Sequence, residues 1–153
     1  MTTDLHVARF DELDARTAYR LWQLRVDVFV VEQRCPYPEL DGRDIEADTR
    51  HIWIAEADQP IAYLRVLAEA NGEARIGRVC VAAPARGGGL ARQLMEAALE
   101  RTGKRASVLD AQTHLSGWYE RFGYVDTGPE FLDDGIPHLP MRRPAPISPE
   151  VDE

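Results

Sequence analysis

The chain has 153 residues, of which 44% are hydrophobic and 29% are charged, and its formal net charge at pH 7 is −8. A chain of this length suits one domain with a core of ordinary size, and its negative charge would repel the phosphates of nucleic acid, so we expect no nucleic-acid partner. It contains no apolar run long enough to span a membrane and no basic, apolar leader, so we expect no membrane partner. Its two cysteines lack CxxC spacing, so we expect a reduced cytoplasmic protein.

The first predicted elements are a short strand over residues 5–10 and a helix over 14–31. Asp11 or Asp14 can cap the helix, because an aspartate carboxylate accepts hydrogen bonds from the free N–H groups of the first turn. Apolar residues recur at helical spacing and predict a stripe that packs against a sheet. Arg25 falls on this stripe, so it requires an internal ion pair, a side chain that reaches solvent, or an anionic substrate group.

A loop and three strands are predicted next. Residues 36–48 hold two prolines and five carboxylates but few apolar side chains, which predicts an exposed active-site loop or one with a short helical turn. Strand patterns follow near 51–57, 61–67 and 75–82, joined by turns of three or four residues. Connections that short join antiparallel strands, because parallel strands require a long crossover.

A glycine-rich segment, Arg86 to Ala91, lies between the third of these strands and a helix-like run over 90–99 that Gly103 would end. Glycines allow several backbone N–H groups to face one anion, and the helix adds free N–H groups and the positive end of its dipole. The segment therefore predicts a phosphate cradle, whose ligand we expect to be a nucleotide pyrophosphate.

Two other phosphate-binding loops fit the sequence less well. A P-loop requires Lys followed by Ser or Thr after the last glycine, where this chain has Ala91 and Arg92. A dinucleotide-binding loop would accept Gly87 and Gly89, with Asp110 as its ribose ligand. Arg92, however, occupies the position of the third glycine of that loop, and the predicted hairpins leave no helical crossover, which that fold requires.

The last predicted elements are a strand over 106–111, a helix around Tyr119, and two strands over 124–132 and 136–142 with a tight turn at Asp134-Gly135 between them. Residues 144–153 contain three prolines and three carboxylates and predict a disordered tail. We therefore expect a single domain over residues 1–143.

Arg86, Gly89 and Ala91 form the pattern R-x-x-G-x-A, which resembles the acyl-CoA loop of the GNAT N-acetyltransferases. Residues 118–124 resemble a second conserved segment of that superfamily. Three further segments are similar to its ElaA-like branch, and these are 24–33, 35–37 and 134–138. The resemblance runs over residues 20–143, and it implies an α/β fold with a mixed, mostly antiparallel central sheet of about six to seven strands, flanked by helices.

The resemblance also implies which residues bind acetyl-CoA as co-substrate. Backbone N–H groups of the glycine-rich loop, with Arg86, would hold the pyrophosphate, while Arg92 would add a charge contact or remain a solvated helix residue. In the family, the strand before this loop bulges away from its neighbour and its backbone pairs with the pantetheine. Gln112 stands where many relatives carry an asparagine that contacts pantetheine. The predicted CoA-binding residues are Val79, Cys80, Val81, Arg86, Gly87, Gly88, Gly89, Leu90, Ala91, Arg92 and Gln112.

Tyr119 occupies the position of the family's catalytic tyrosine, which implies that it protonates the departing CoA sulfur. Without the resemblance, a packed core tyrosine would be the favoured interpretation. Cys80 could carry the acyl group, but a cysteine within an apolar strand is more often a small core residue. Direct transfer is therefore favoured over a covalent acyl-enzyme.

The identity of the general base stays open at the level of sequence. Each candidate could act through a water or serve as a structural group. The candidates are Glu32, Asp41, Asp44 and His51, while His114 and His138 could line the acceptor pocket.

We therefore expect an enzyme that moves an acetyl group from acetyl-CoA to an amine on a small molecule or peptide, in a ternary complex. The alternatives are an acyl-CoA-binding sensor without turnover and an acetyltransferase of protein lysines or N-termini. The acidic loop over 36–48 suits a polyamine and a basic peptide equally. No metal is expected, because the four histidines are scattered and neither cysteine has zinc-ligand spacing, and the chain would act as a monomer or homodimer.

Overall fold

The computed structural model of this protein describes residues 2–146. Its strands are β1 (Thr3–Ala8), β2 (Arg50–Glu56), β3 (Gln59–Ala68), β4 (Ala74–Val81), β5 (Ser107–Gln112), β6 (Val125–Asp126), β7 (Phe131–Asp133) and β8 (Ile136–Arg143). They form one sheet in the order β1-β2-β3-β4-β5-β8-β6, with β7 also paired to β8. Only the β4–β5 pair is parallel within the described residues. The predicted mixed, mostly antiparallel sheet is confirmed.

The helices are α1 (Ala15–Arg25), α2 (Leu90–Thr102) and α3 (Ser116–Glu120). Asp14 caps α1, since its carboxylate accepts a hydrogen bond from the Thr17 N–H at 2.7 Å. Gly103 ends α2 with a φ of +60°, as its position in the sequence predicts. The predicted helix over 14–31 does continue beyond α1, but as a π-helix over Val26–Glu32. Such wider turns are rare and occur often at functional sites.

Helices cover both faces of the sheet, which explains the continuous apolar run in the middle of β2. On β2, Ile52 and Ile54 belong to the core under α2, whereas Trp53 and Ala55 belong to the core under α1. All four side chains are buried. A strand with both faces covered shows a continuous apolar run rather than alternation.

The structure divides one predicted strand into two. The strand predicted over 124–132 is interrupted between β6 and β7, where Pro129 lacks the N–H that a sheet ladder requires. The turn after β7 has φ of +48° at Asp134 and +82° at Gly135, which fits the predicted tight hairpin. The sheet therefore has eight strands instead of six or seven. Of the predicted tail, 147–153 lie outside the described residues, and 144–146 adopt neither helix nor strand.

A bulge in β4 opens the sheet between β4 and β5. Tyr63 on β3 pairs with Cys80 on β4, but Arg65 pairs with Gly77, so β4 has one residue more than β3 between these pairs. Arg78 lies at this bulge with a φ of +55°, a conformation that side chains rarely adopt. Beyond their first two residue pairs, β4 and β5 are no longer hydrogen-bonded to each other. The strands therefore diverge towards their carboxyl ends, as the family resemblance implies.

One buried hydrogen bond offers a test of this core. The Ser107 hydroxyl and the Tyr124 hydroxyl lie 2.6 Å apart and both residues are buried. We expect Ser107→Ala and Tyr124→Phe each to lower the free energy of unfolding by about 1–3 kcal/mol, because each leaves a buried hydroxyl without a partner. The double variant should lose clearly less than the sum, and urea unfolding measures all three. Additive losses would show that the two hydroxyls do not depend on each other.

Candidate functional site

A cavity of about 190 Å³ lies in the gap where β4 and β5 diverge. Val79 at the bulge, Gln112 at the end of β5 and Tyr119 on α3 all line it. The fold thus brings together three residues that are far apart in sequence and that the family resemblance assigns to one site. Arg78 and His138 also line the cavity.

Tyr119 is buried and has an edge-on ring contact with Trp118 and with Tyr124. Among residues 2–146, its hydroxyl has no hydrogen-bond partner. Burial raises the pKa of the Tyr119 phenol well above its usual value, so the group keeps its proton at neutral pH. The structure therefore places a protonated hydroxyl in the wall of the cavity.

The glycine-rich loop leads directly into the first turn of α2. Gly87 and Gly89 have φ of +86° and +81°, and a side chain added at either position would meet nothing within 4 Å. In the described part of the chain, the N–H groups of residues 87–92 make no hydrogen bond, while the Gln93 N–H bonds to the Gly89 carbonyl. The loop thus combines open space, glycine conformations and free N–H groups, which is what a phosphate requires. Arg92 is exposed on the first turn of α2.

Arg86, beside this loop, is held by Glu32 at the end of the π-helix. The guanidinium donates two hydrogen bonds to the Glu32 carboxylate, at 2.5 and 2.7 Å, and a third to the Val81 carbonyl at 3.0 Å. These bonds from Arg86 hold the pKa of Glu32 below its usual value. A phosphate bound by Arg86 would either share this guanidinium with Glu32 or displace the Glu32 carboxylate. Glu32 is therefore an ion-pair partner of Arg86 rather than a free base.

Arg25 forms the internal ion pair that the sequence allowed. It is fully buried, with its Nε 2.5 Å from Glu39 and its Nη1 2.6 Å from Asp44. Arg65 pairs with Asp44 and Asp41, so the contacts extend towards the cavity. These arginines pull the loop over 36–48 onto the sheet. The expectation that this loop is exposed is therefore corrected at Glu39 and Asp44, which are buried.

The same contacts make Asp41 a poor candidate for the general base. Burial favours its protonated form, but hydrogen bonds from Arg65 outweigh burial and hold the pKa of Asp41 far below its usual value. A carboxylate stabilised in this way is a weak proton acceptor. Asp41 therefore serves best as a partner of Arg65.

His51 is fully buried under α1. Its Nε2 lies 2.9 Å from the Asp44 carbonyl and its Nδ1 lies 2.7 Å from the Tyr63 hydroxyl. Because a carbonyl only accepts, Nε2 carries the hydrogen and Nδ1 accepts from Tyr63. Both ring nitrogens are occupied, which favours a structural role for His51.

We expect His51 to make stability depend on pH. Burial lowers the pKa of His51, so the unfolded chain binds a proton at its ordinary pKa of about 6.5 while the folded chain does not. The contribution of the neutral imidazole is fully present above that pH and is lost as pH falls towards the lower folded pKa. The free energy of unfolding, measured in urea from pH 7.5 to 5, should therefore fall more steeply for the native protein than for His51→Gln. His6→Gln, at an exposed histidine, is the control, and parallel curves for native protein and His51→Gln would contradict the prediction.

Cys80 packs with Trp53 and Tyr63 under α1, and burial raises its pKa to about 12. Its thiol is therefore protonated at neutral pH and unsuited to carry an acyl group. Cys35 is also free and buried. Residues 2–146 contain no cluster of His, Cys, Asp or Glu suited to a metal ion, and no helix among them is long and apolar enough to cross a membrane.

Comparison with known proteins agrees with this geometry. A model of the acetyltransferase (GNAT) domain matches residues 24–144. A UPF0039 protein of Mycobacterium tuberculosis is 51% identical over 148 residues, which cover 94% of this chain and 95% of that protein. Protein ElaA of Escherichia coli is 40% identical over 146 residues, or 92% and 94% of the two chains. The crystal structure of an acyl-CoA N-acyltransferase from Pseudomonas aeruginosa has a TM-score of 0.89 at 42% identity, covering 93% of this chain and 99% of that one.

Proposed function

This chain belongs to the GNAT acetyltransferase family, and from that premise we propose that it transfers an acetyl group from acetyl-CoA to an amine by direct attack in a ternary complex. The observation that carries the proposal is the cavity between the diverging strands β4 and β5. One of its walls holds the buried, protonated Tyr119, and the strand that forms another wall leads into the glycine-rich loop. In this proposal the pyrophosphate of the co-substrate would bind the glycine-rich loop, and its thioester would lie beside Tyr119.

Binding of the co-substrate would use backbone groups more than side chains. The free N–H groups of residues 87–92 would hold the pyrophosphate at the positive end of α2. The backbone of β4 beyond the bulge, around Val79, is not paired with β5 and would be available to the pantetheine amides. Gln112, across the gap on β5, would contact the same arm from the other side.

The reaction needs a neutral amine, a stabilised oxyanion and a proton for the departing thiolate. The amine nitrogen forms a bond to the thioester carbon, and the carbon–sulfur bond then breaks. Tyr119 would supply the proton to the sulfur, because its phenol is protonated and has no hydrogen-bond partner among residues 2–146. The burial of Cys80, which raises the pKa of its thiol, favours this direct route over an acyl-enzyme.

The acceptor is a small amine in this proposal. The carboxylates of the loop over 36–48 that would attract a basic peptide are largely engaged, since Glu39, Asp41 and Asp44 pair with buried or half-buried arginines. The acidic composition of that loop therefore does not favour a peptide acceptor.

Calorimetric titration with acetyl-CoA, followed by thiol release against a panel of diamines, amino acids, aminoglycosides and lysine peptides, tests the proposal. Binding together with turnover of a small amine is the expected result. Binding without turnover of any amine would favour the sensor alternative, and turnover of peptides alone would favour a protein acetyltransferase. Absence of acetyl-CoA binding would overturn the proposal.

A further inference from the structure

His138 lies on the same cavity as Tyr119, which agrees with the sequence-based expectation that it could line the acceptor pocket. It is on β8, where it pairs directly with Gln112 of β5 on one side and with Phe131 of β7 on the other. Its ring stacks on the Phe131 ring, with centroids 5.9 Å apart and an angle of 27° between the planes. The imidazole is partly buried and lines the cavity.

The hydrogen bonding of His138 determines which nitrogen can accept a proton. Its Nδ1 lies 2.7 Å from the carbonyl oxygen of Ile136. A carbonyl oxygen only accepts, so Nδ1 carries the hydrogen and the lone pair of the neutral ring is on Nε2. Within residues 2–146, Nε2 has no hydrogen-bond partner. The contacts with Ile136 and Phe131 thus fix an imidazole whose basic nitrogen is free.

Most other charged side chains around the cavity already form ion pairs. The three arginines that line it are ion-paired, and so is Asp110, which contacts Arg75. Asp133, the last residue of β7, and Asp134, in the turn that follows, line the cavity and form no ion pair with any described residue. The charged or titratable residues that line the cavity are Cys35, Tyr37, Arg65, Arg75, Arg78, Asp110, Tyr119, Asp133, Asp134 and His138.

We propose that His138 is the general base of the transfer and that Asp133 and Asp134 select an acceptor that carries a second positive charge, such as a diamine. The inference rests on the proposed function. As the amine nitrogen bonds to the thioester carbon, His138 Nε2 takes a proton from that nitrogen, and as the carbon–sulfur bond breaks, Tyr119 gives a proton to the sulfur. The imidazolium and the phenolate then return to their starting states by proton exchange with water. Asp133 and Asp134 line the same cavity as His138, so their carboxylates would attract the remaining cationic end of a diamine.

The test compares His138→Gln with the native protein, using the best diamine of the panel. Glutamine can keep a hydrogen bond to the Ile136 carbonyl but cannot accept a proton at neutral pH. We expect kcat to fall about 100-fold or more, with the dissociation constant of acetyl-CoA changed by less than about threefold. The fall of kcat on the acidic side of its pH profile, measured at saturating diamine, should disappear in the variant. His114→Gln is the matched control and should keep the native rate, because His114 is exposed and, contrary to the sequence-based expectation, does not line the cavity.

Two further measurements separate a catalytic role of His138 from a structural one and test the role of the two aspartates. Free imidazole should restore part of the rate of His138→Ala, which a purely structural role would not allow. Asp133→Asn and Asp134→Asn should each raise KM for the diamine severalfold more than KM for a monoamine of similar length, with kcat little changed.

The possible outcomes separate a wrong base, a wrong acceptor class and a wrong proposed function. If the native protein turns over a diamine while His138→Gln keeps its rate or its acidic limb, the assignment of the base is overturned and the proposed function survives. If the aspartate variants do not distinguish diamine from monoamine, the acceptor class is overturned. If the native protein turns over no amine at all, the proposed function falls and this inference falls with it.

Discussion

Gly89→Asp should weaken acetyl-CoA binding by about 100-fold or more, whereas Gly89→Asn should weaken it much less. The two side chains have nearly the same size, and both tolerate the left-handed conformation that φ of +81° imposes better than other residues do. Both are also good residues at the start of a helix, and Gly89 immediately precedes α2, so the fold should be retained. Only the charge differs between the variants.

The size of the effect follows from the position of the added carboxylate. It would stand among the free N–H groups of residues 87–92, where we propose that the pyrophosphate binds. At about 4 Å near a protein surface, two like unit charges repel by about 4 kcal/mol before screening by salt. Calorimetry on both variants, with their thermal unfolding as a check of folding, measures the difference. Equal dissociation constants for the aspartate and asparagine variants would remove the glycine-rich loop from the pyrophosphate site.

Tyr119→Phe should lower kcat by about 10²–10³-fold and change the dissociation constant of acetyl-CoA by less than about threefold. Phenylalanine keeps the edge-on contacts with Trp118 and Tyr124 and fills the same volume. No hydrogen bond to a described residue is lost, so the stability of the fold should be unchanged. The variant therefore removes only the proton donor.

Tyr124→Phe is the matched control for that experiment. Tyr124 lies in the same core as Tyr119, but its hydroxyl is bonded to Ser107. The control should lose stability and keep its turnover number, which is the reverse of the pattern expected for Tyr119→Phe. Parallel losses of affinity and turnover in Tyr119→Phe would make Tyr119 a structural residue instead.

Features with local causes were predictable from the sequence. The hairpins among β2, β3 and β4 follow from turns too short for any other connection, and the structure confirms them. The cap at Asp14 and the helix end at Gly103 depend on hydrogen bonds and backbone angles within one turn of chain, and both are confirmed. The glycine-rich loop owes its shape to its own residues.

Features that depend on distant partners were predicted less well. The composition of residues 36–48 indicated an exposed loop, because prolines and carboxylates usually face water. The arginines that pair with Glu39 and Asp44 come from α1, β3 and β4, and no local pattern links them to the loop. The same limitation applies to the base. The sequence placed His51 among the candidates and His138 only at the pocket, whereas the folded surroundings occupy both ring nitrogens of His51 and leave Nε2 of His138 free among the described residues.

The sequence by itself determined the order of strands and helices, the glycine-rich turn after β4 and, through its motifs, the family, because periodicity, turns and caps act over a few neighbouring residues. The tertiary structure alone decided which ionisable groups are engaged and which are free. Arg25 and Arg65 pair with carboxylates of the 36–48 loop, while Tyr119 and His138 line the cavity between β4 and β5, next to the bulge at Arg78. Protonation and pairing depend on burial and on charges brought close from far along the chain, and folding is what creates both.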